Sequence, residues 1–295
     1  MGYSYGTFVL YCDFMISAPI SNDPFEHYFY RRAQLVDDMA ASGSIVESYI
    51  LATASLDAVA EIWFNDFPEV KRKLESELGG KVPSSIRLAR LLKNFISNDP
   101  HVSKVAVVCF AQDWKCYRSE DAHIADQLLS KRLSDDPDEY LRSHELPKSY
   151  LDVSRNELAQ ECPEITTRPG LFKLLEEYEY GSLLYTFYRC PLVHFGIGSR
   201  RTHGLTYGEE IMYHWSSCDD DRITISFGPN LISRWLRNVV SSYVQSCQKV
   251  DIVPADNLDA GTSQEERFKK CWGVSRKWAE IRLADRCRSA SNDMS

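Results

Sequence analysis

At 295 residues, 44% of them hydrophobic and 26% charged, the chain has the composition of a globular protein, long enough to bury a sizeable core in one large domain or two small ones. Its net charge of −8 argues against broad, non-specific adhesion to nucleic acid but leaves room for a small local phosphate site. Nine cysteines without a CxxC pair read as scattered reduced thiols of a cytoplasmic protein, and no secretory leader is expected.

Residues 5–16 (YGTFVLYCDFMI) fit a strand or a short helix. From Pro24 the pattern is helical up to a break at Ser42-Gly43, after which Ser44 and Glu47 form a capping-box pattern opening the next helix. Ile45, Tyr49, Ala52, Leu56, Val59 and Trp63 then repeat at the spacing of one buried stripe. This run also contains Asp57 and Glu61, which mark it as a core helix rather than a membrane span. Further helices are predicted at 69–78, closed by Gly79-Gly80, and at 84–97, opened by Pro83-Ser84. Residues 102–111 fit a buried strand or a short apolar helix.

The polar, Pro-punctuated stretch 112–165 reads as an insertion or lid with helices near 122–133 and 150–160. Residues 170–190 predict one periodic helix with Leu171, Leu174, Leu175, Tyr178, Ser182, Tyr185 and Tyr188 on a shared face. RITISF (222–227) alternates like a strand, and Pro229 opens a long helix with Leu231, Trp235, Val239 and Tyr243 in line. The predicted organisation is an N-terminal extension (1–23), a helical domain (24–250), a linker (251–263), a C-terminal helix (264–287) and a disordered tail (288–295). Residues 264–295 hold eight Lys and Arg against five Asp and Glu, a local +3 that reads first as a solvated helix face. The expected fold class is mainly α, a helical bundle with minor β content.

Arg189 and His194 stand at the apolar end of the 170–190 run, in YRCPLVHFG. A guanidinium and an imidazole are costly there unless a phosphate or a partner subunit uses them. The same spacing recurs at Arg118 and His123, but in a polar stretch where acidic neighbours can pair with the arginine. On an unbroken α-helix five positions turn about 500°, leaving the two side chains roughly 140° apart. Convergence therefore requires either that Pro191 kinks the helix or that a twofold dimer brings two copies together.

YRCPLVHFG at a helix end, with ILATASLDAVAEIWF as a preceding bundle helix, resembles the HEPN superfamily over roughly residues 40–250. Its members are helical-bundle proteins of toxin–antitoxin, CRISPR-associated and antiviral systems, many of them metal-independent endoribonucleases active as dimers. Their motif is an Arg followed four to six residues later by a His. The resemblance thus implies Arg189 and His194 as catalytic residues, RNA as substrate, a homodimer, and an antitoxin or defence-system protein as a further partner. Cys190 follows the Arg where the family usually has a polar residue, and Gly196 stands where toxins modified by an antitoxin often carry a Tyr.

The residue chemistry is consistent with such a reaction. Metal-free RNA cleavage needs a base for the ribose 2′-OH, an acid for the leaving 5′ oxygen, and cations on the phosphorane. His194, with its counterpart in a second copy, and Arg189 would supply them. Asp57 is a candidate to orient Arg189 across the bundle, or else faces water at the stripe's edge. Arg200, Arg201 and His203, just after the motif, are candidate contacts to flanking phosphates. His203, His214 and Cys218 lack a fourth metal ligand, and no dinucleotide-binding, P-loop or nucleophile-elbow pattern occurs, so neither metal nor cofactor is expected. The rival reading is a non-catalytic binding or assembly module, or a nucleotide sensor, in which the same pair locks an interface.

Overall fold

A computed structural model of the chain describes residues 23–133, 151–168, 170–195, 199, 201–202, 208–216 and 222–254. The predicted strand at 5–16, most of the 251–263 linker, the C-terminal helix and the tail lie outside the described residues. So do Arg200 and His203.

Asp23 caps α1 (Pro24–Ala41) by accepting the Phe25 and Glu26 N–H groups, and Pro24 presets the first turn. The chain reverses at Gly43, whose φ of 88° favours glycine, into α2 (Ile45–Asp66). The capping box expected at Ser44 and Glu47 does not form. Ser44 sits at the N-cap, but its ψ of 61° is far from the extended backbone that aims a cap hydroxyl at the helix N–H groups. Ser154, at ψ 160°, does complete such a box with Glu157 at the start of a later helix.

α2 is the central helix. Ala52, Thr53, Ser55, Leu56, Val59, Ala60 and Trp63 are all buried, which small side chains on several of its faces permit. Pro68 opens α3 (Pro68–Leu78), which closes on left-handed Gly79, and α4 (Ser84–Phe95) follows. The 102–111 stretch divides between both expected structures, a two-residue strand β1 (Lys104–Val105) and then α5 (Val107–Tyr117). α6 (Ala122–Leu133), β2 (Val153–Ser154), α7 (Arg155–Glu161) and α8 (Glu164–Thr167) complete this part, with β2 antiparallel to β1.

The described parts of 112–165 are not an appended lid. Trp114, Ile124, Leu128, Leu158 and Ile165 join the main core, and buried Asp152 accepts the Val107 N–H and the Tyr180 and Tyr213 hydroxyls. Polar composition misleads here because three of its acidic residues, Asp113, Asp121 and Asp152, have inward partners. Asp121, for example, accepts hydrogen bonds from Trp114 Nε1 and from Arg168.

Nor is 170–190 a single helix. It comprises α9 (Leu171–Leu174), a 3₁₀ turn (Leu175–Tyr178), α10 (Tyr180–Leu183) and a π-helical segment (Leu184–Arg189), which leads into α11 (Cys190–Phe195). The break at Glu179 (ψ 145°) has a cause: Tyr178 and Glu179 lend their backbone to the β1 edge, where Ala106 N–H donates to the Tyr178 carbonyl. Leu174, expected on the shared buried face, is 44% exposed as a result.

β3 (Ile211–Ser216) and β4 (Arg222–Phe227) form a hairpin in which Ile211 pairs with Phe227 and Ser216 with Arg222. α12 (Pro229–Lys249) packs along α1 and α2, burying Leu231, Trp235, Val239 and Tyr243 as the periodicity predicts. The architecture is a mainly α helical bundle with two small antiparallel sheets. Among the described residues no helix is long and apolar enough to cross a membrane.

Candidate functional site

The site begins with a proline. In an α-helix the carbonyl of Phe187 would accept from residue 191, which is Pro191 and has no N–H to give. That carbonyl accepts instead from Ser199 N–H at 3.3 Å, and the turn before it is wound wide, with Cys190 N–H donating five residues back to Tyr185. Beyond this wide turn the chain continues as α11, and the two side chains that the helical spacing sets on different faces meet there all the same. Arg189 Nη1 lies 3.1 Å from His194 Nε2 within one chain.

The guanidinium is held from behind. Its Nε forms an ion pair with Asp57 Oδ2 at 2.7 Å, and its Cζ lies 5.4 Å from the centre of the Tyr185 ring. Asp57 reaches it from α2, and only 8% of that residue is exposed. The Arg189 side chain is 22% exposed and His194 lies on the surface. Arg189 is therefore buried along its inner edge and open along its outer one, the edge that carries His194.

Proton bookkeeping constrains this contact. A guanidinium has only donors, so the 3.1 Å approach is a hydrogen bond only when His194 Nε2 presents its lone pair and the ring proton sits on Nδ1. In that tautomer Nε2 carries the lone pair that a general base needs, engaged by Arg189 until something else takes the arginine's donors.

Sequence reasoning missed one member of the cluster. Arg87 of α4 places Nη2 3.8 Å from Asp57 Oδ1, with Nη1 2.5 Å from Glu61 Oε2. It belongs to a row, Arg87, Arg90 and Lys93, spaced about one turn apart on α4. Arg90 forms an ion pair with Glu176 at 2.7 Å and Lys93 with Glu179. The three-residue spacing of these cations, set against acidic positions in α2 and in 176–179, was the available signal.

Arg201 departs from its expected role. Its Nη1 donates to Asp113 Oδ1 at 2.7 Å, its Cζ stands 5.7 Å from the Phe187 ring centre, and its side chain is 11% exposed. Its carbonyl accepts the Ile225 N–H. Arg201 thus ties the loop after the motif to α5 and β4 and offers little to a phosphate in solution.

Two arginines of α12 are anchored in the same manner. Arg234 donates to Asp99 at 2.7 Å and pairs with Glu209 at 2.8 Å, while Arg237 donates to Asp37. Burial opposes ionisation of Asp99, but donors on His101, Arg234 and Trp235 outweigh it and hold the carboxyl below the usual range. Burial pushes the Cys109 thiol up to about 12, which leaves that sulfur inert as a nucleophile. Among the described residues no group of three or more His, Cys, Asp or Glu is arranged to hold a metal ion.

No family model, curated protein or solved structure matches this chain. The functional reading therefore rests on the pair itself, its carboxylate and the surface they share.

Proposed function

We propose that the protein is a metal-independent endoribonuclease of the HEPN type, acting as a cytoplasmic dimer in a toxin–antitoxin or antiviral setting. The observation that carries this reading is the Arg189–His194 contact at an exposed surface, with Asp57 gripping the buried edge of the guanidinium. An RNA phosphate arriving at that surface takes the outer donors of Arg189. His194 Nε2 is released in the same event and accepts the proton of the adjacent 2′-OH. The 2′ oxygen attacks phosphorus, Arg189 stabilises charge growing on a non-bridging oxygen, and a protonated His194 from the second copy donates to the leaving 5′ oxygen. DNA has no 2′-OH and is not cut. Arg200 and His203 serve as contacts to flanking phosphates, and an antitoxin or defence-system protein restrains the enzyme.

The test is cleavage of single-stranded RNA in EDTA. Wild type is expected to cut, and His194→Ala, with an unchanged circular dichroism spectrum, to lose cleavage. Equal cleavage by both proteins removes the nuclease assignment.

A second reading, an assembly module without catalysis, is favoured by one observation: Arg189 already has partners on both edges in the single chain. Under it, His194→Ala changes oligomeric state or melting temperature and there is no RNA cleavage to lose.

A further inference from the structure

Asp57 is a buried carboxylate shared by two arginines from different elements, Arg189 of the π-helical segment and Arg87 of α4. Sharing changes what Asp57 does. Facing Arg189 alone, it would follow the guanidinium outward when a phosphate draws on it. Arg87 attracts the same carboxylate from the other side and holds it in place.

Arg87 is itself well fixed. Its Nη2 donates to Ser84 Oγ at 3.1 Å, its Cζ lies 5.7 Å from the Phe64 ring centre, and its side chain is 12% exposed. It therefore cannot reach a substrate from α4. Its other carboxylate, Glu61, is 48% exposed in its side chain and screened by water, so Asp57 is the buried charge it governs. At 3.8 Å, beyond hydrogen-bond range, Arg87 acts on Asp57 by charge alone, along a line running Arg87, Asp57, Arg189, His194.

We propose that Arg87 is a positioning residue of the Arg189–His194 site: by sharing Asp57 it keeps Arg189 docked, so that an incoming phosphate displaces His194 from the outer edge of the guanidinium and not the guanidinium from its seat. The catalytic consequence rests on the nuclease reading; the positional consequence does not.

The experiment uses the full chain with Arg87→Ala, Arg87→Lys and, as control, Arg90→Ala, which removes a neighbouring α4 ion pair unconnected to Asp57. Cleavage of a fluorogenic single-stranded RNA in EDTA gives kcat and KM, and proton–carbon NMR of the imidazole reports on His194, each at a temperature where the variants are folded. Arg87→Ala should lower kcat roughly 10- to 100-fold, the cost of a small misplacement, with KM within about twofold. It should also shift the His194 imidazole signals, and Arg90→Ala should do neither. Lysine keeps the charge but lacks the fork, so Arg87→Lys should recover part of both effects.

Unmoved His194 signals in Arg87→Ala, or an equal loss of kcat in Arg90→Ala, overturn the proposal. If Arg87→Ala does not fold, unmoved signals in Arg87→Lys do so equally. Absence of wild-type cleavage defeats the nuclease reading only, and the NMR comparison still decides the position of Arg87.

Discussion

Phe187 and Pro191 determine the shape of the site: the carbonyl that a helix would give to residue 191 has no donor there and is satisfied by Ser199 at 3.3 Å. The wide turn ends at Arg189, and the Arg189–His194 contact spans the turn of α11 that contains Pro191.

Restoring the donor should therefore separate stability from activity. Pro191→Ala gives the Phe187 carbonyl an intrahelical donor, which raises helix stability but releases Ser199 and re-aims the turn that carries His194. Cleavage should fall by roughly tenfold or more while the urea midpoint stays level or rises. Full activity in a folded Pro191→Ala protein would show that Pro191 does not set the site.

Gly181 lies where α10 crosses α4. A Cβ built there would stand 2.6 Å from Ala89 Cα, a backbone atom that cannot move aside alone. Gly181→Ala should cost about 1–3 kcal/mol in urea unfolding, by overpacking. A cost below a few tenths would show that the crossing is loose.

Arg201→Ala distinguishes an anchor from a phosphate contact. Removing it strands Asp113, 15% exposed in its side chain, without its guanidinium partner, and should cost roughly 3 kcal/mol of stability. RNA affinity of the remaining folded protein should be unchanged. A several-fold rise in KM without loss of stability would return Arg201 to the substrate-contact set.

Asp152 predicts a pH signature of folding. Burial pushes its carboxyl up from an ordinary 3.8 to about 6, although the Tyr180 and Tyr213 hydroxyls and the Val107 N–H donate to it and pull it back. The folded state thus holds this proton more tightly than the unfolded chain. Its contribution is fully present below about pH 4 and is lost as pH rises through about 6, on the order of 3 kcal/mol over the interval. Urea unfolding of wild type and Asp152→Asn between pH 4 and 7 checks this. The variant should lack that downward component, and matching slopes would contradict it.

Much of the fold was legible in the sequence because periodicity and punctuation agreed with packing. Pro24, Gly43, Pro68, Gly79 and Pro229 each stand within two residues of a helix boundary, and the Leu56–Trp63 and Trp235–Tyr243 stripes are core. Where the reading went astray, tertiary contacts outweighed local pattern. The 170–190 periodicity cannot register that Tyr178 and Glu179 are drawn onto the β1 edge, and the acidity of 112–165 conceals that Asp113, Asp121 and Asp152 have inward partners. At the site, Pro191 was legible as a kink and Asp57 as a candidate orienter. Arg87 was not, because its partner lies 30 positions away and only the crossing of α2 with α4 brings the two together.

The most direct measurement uses two RNA oligonucleotides, one all-ribose and one with a single 2′-deoxy residue at the mapped cut position, incubated in EDTA with wild type and with Arg189→Ala. Wild type should cut the first, leaving a 2′,3′-cyclic phosphate end, and spare the second at that position, and Arg189→Ala should cut neither. Cleavage of the deoxy-substituted oligonucleotide at the same position, or undiminished cleavage by the variant, would contradict the proposed mechanism.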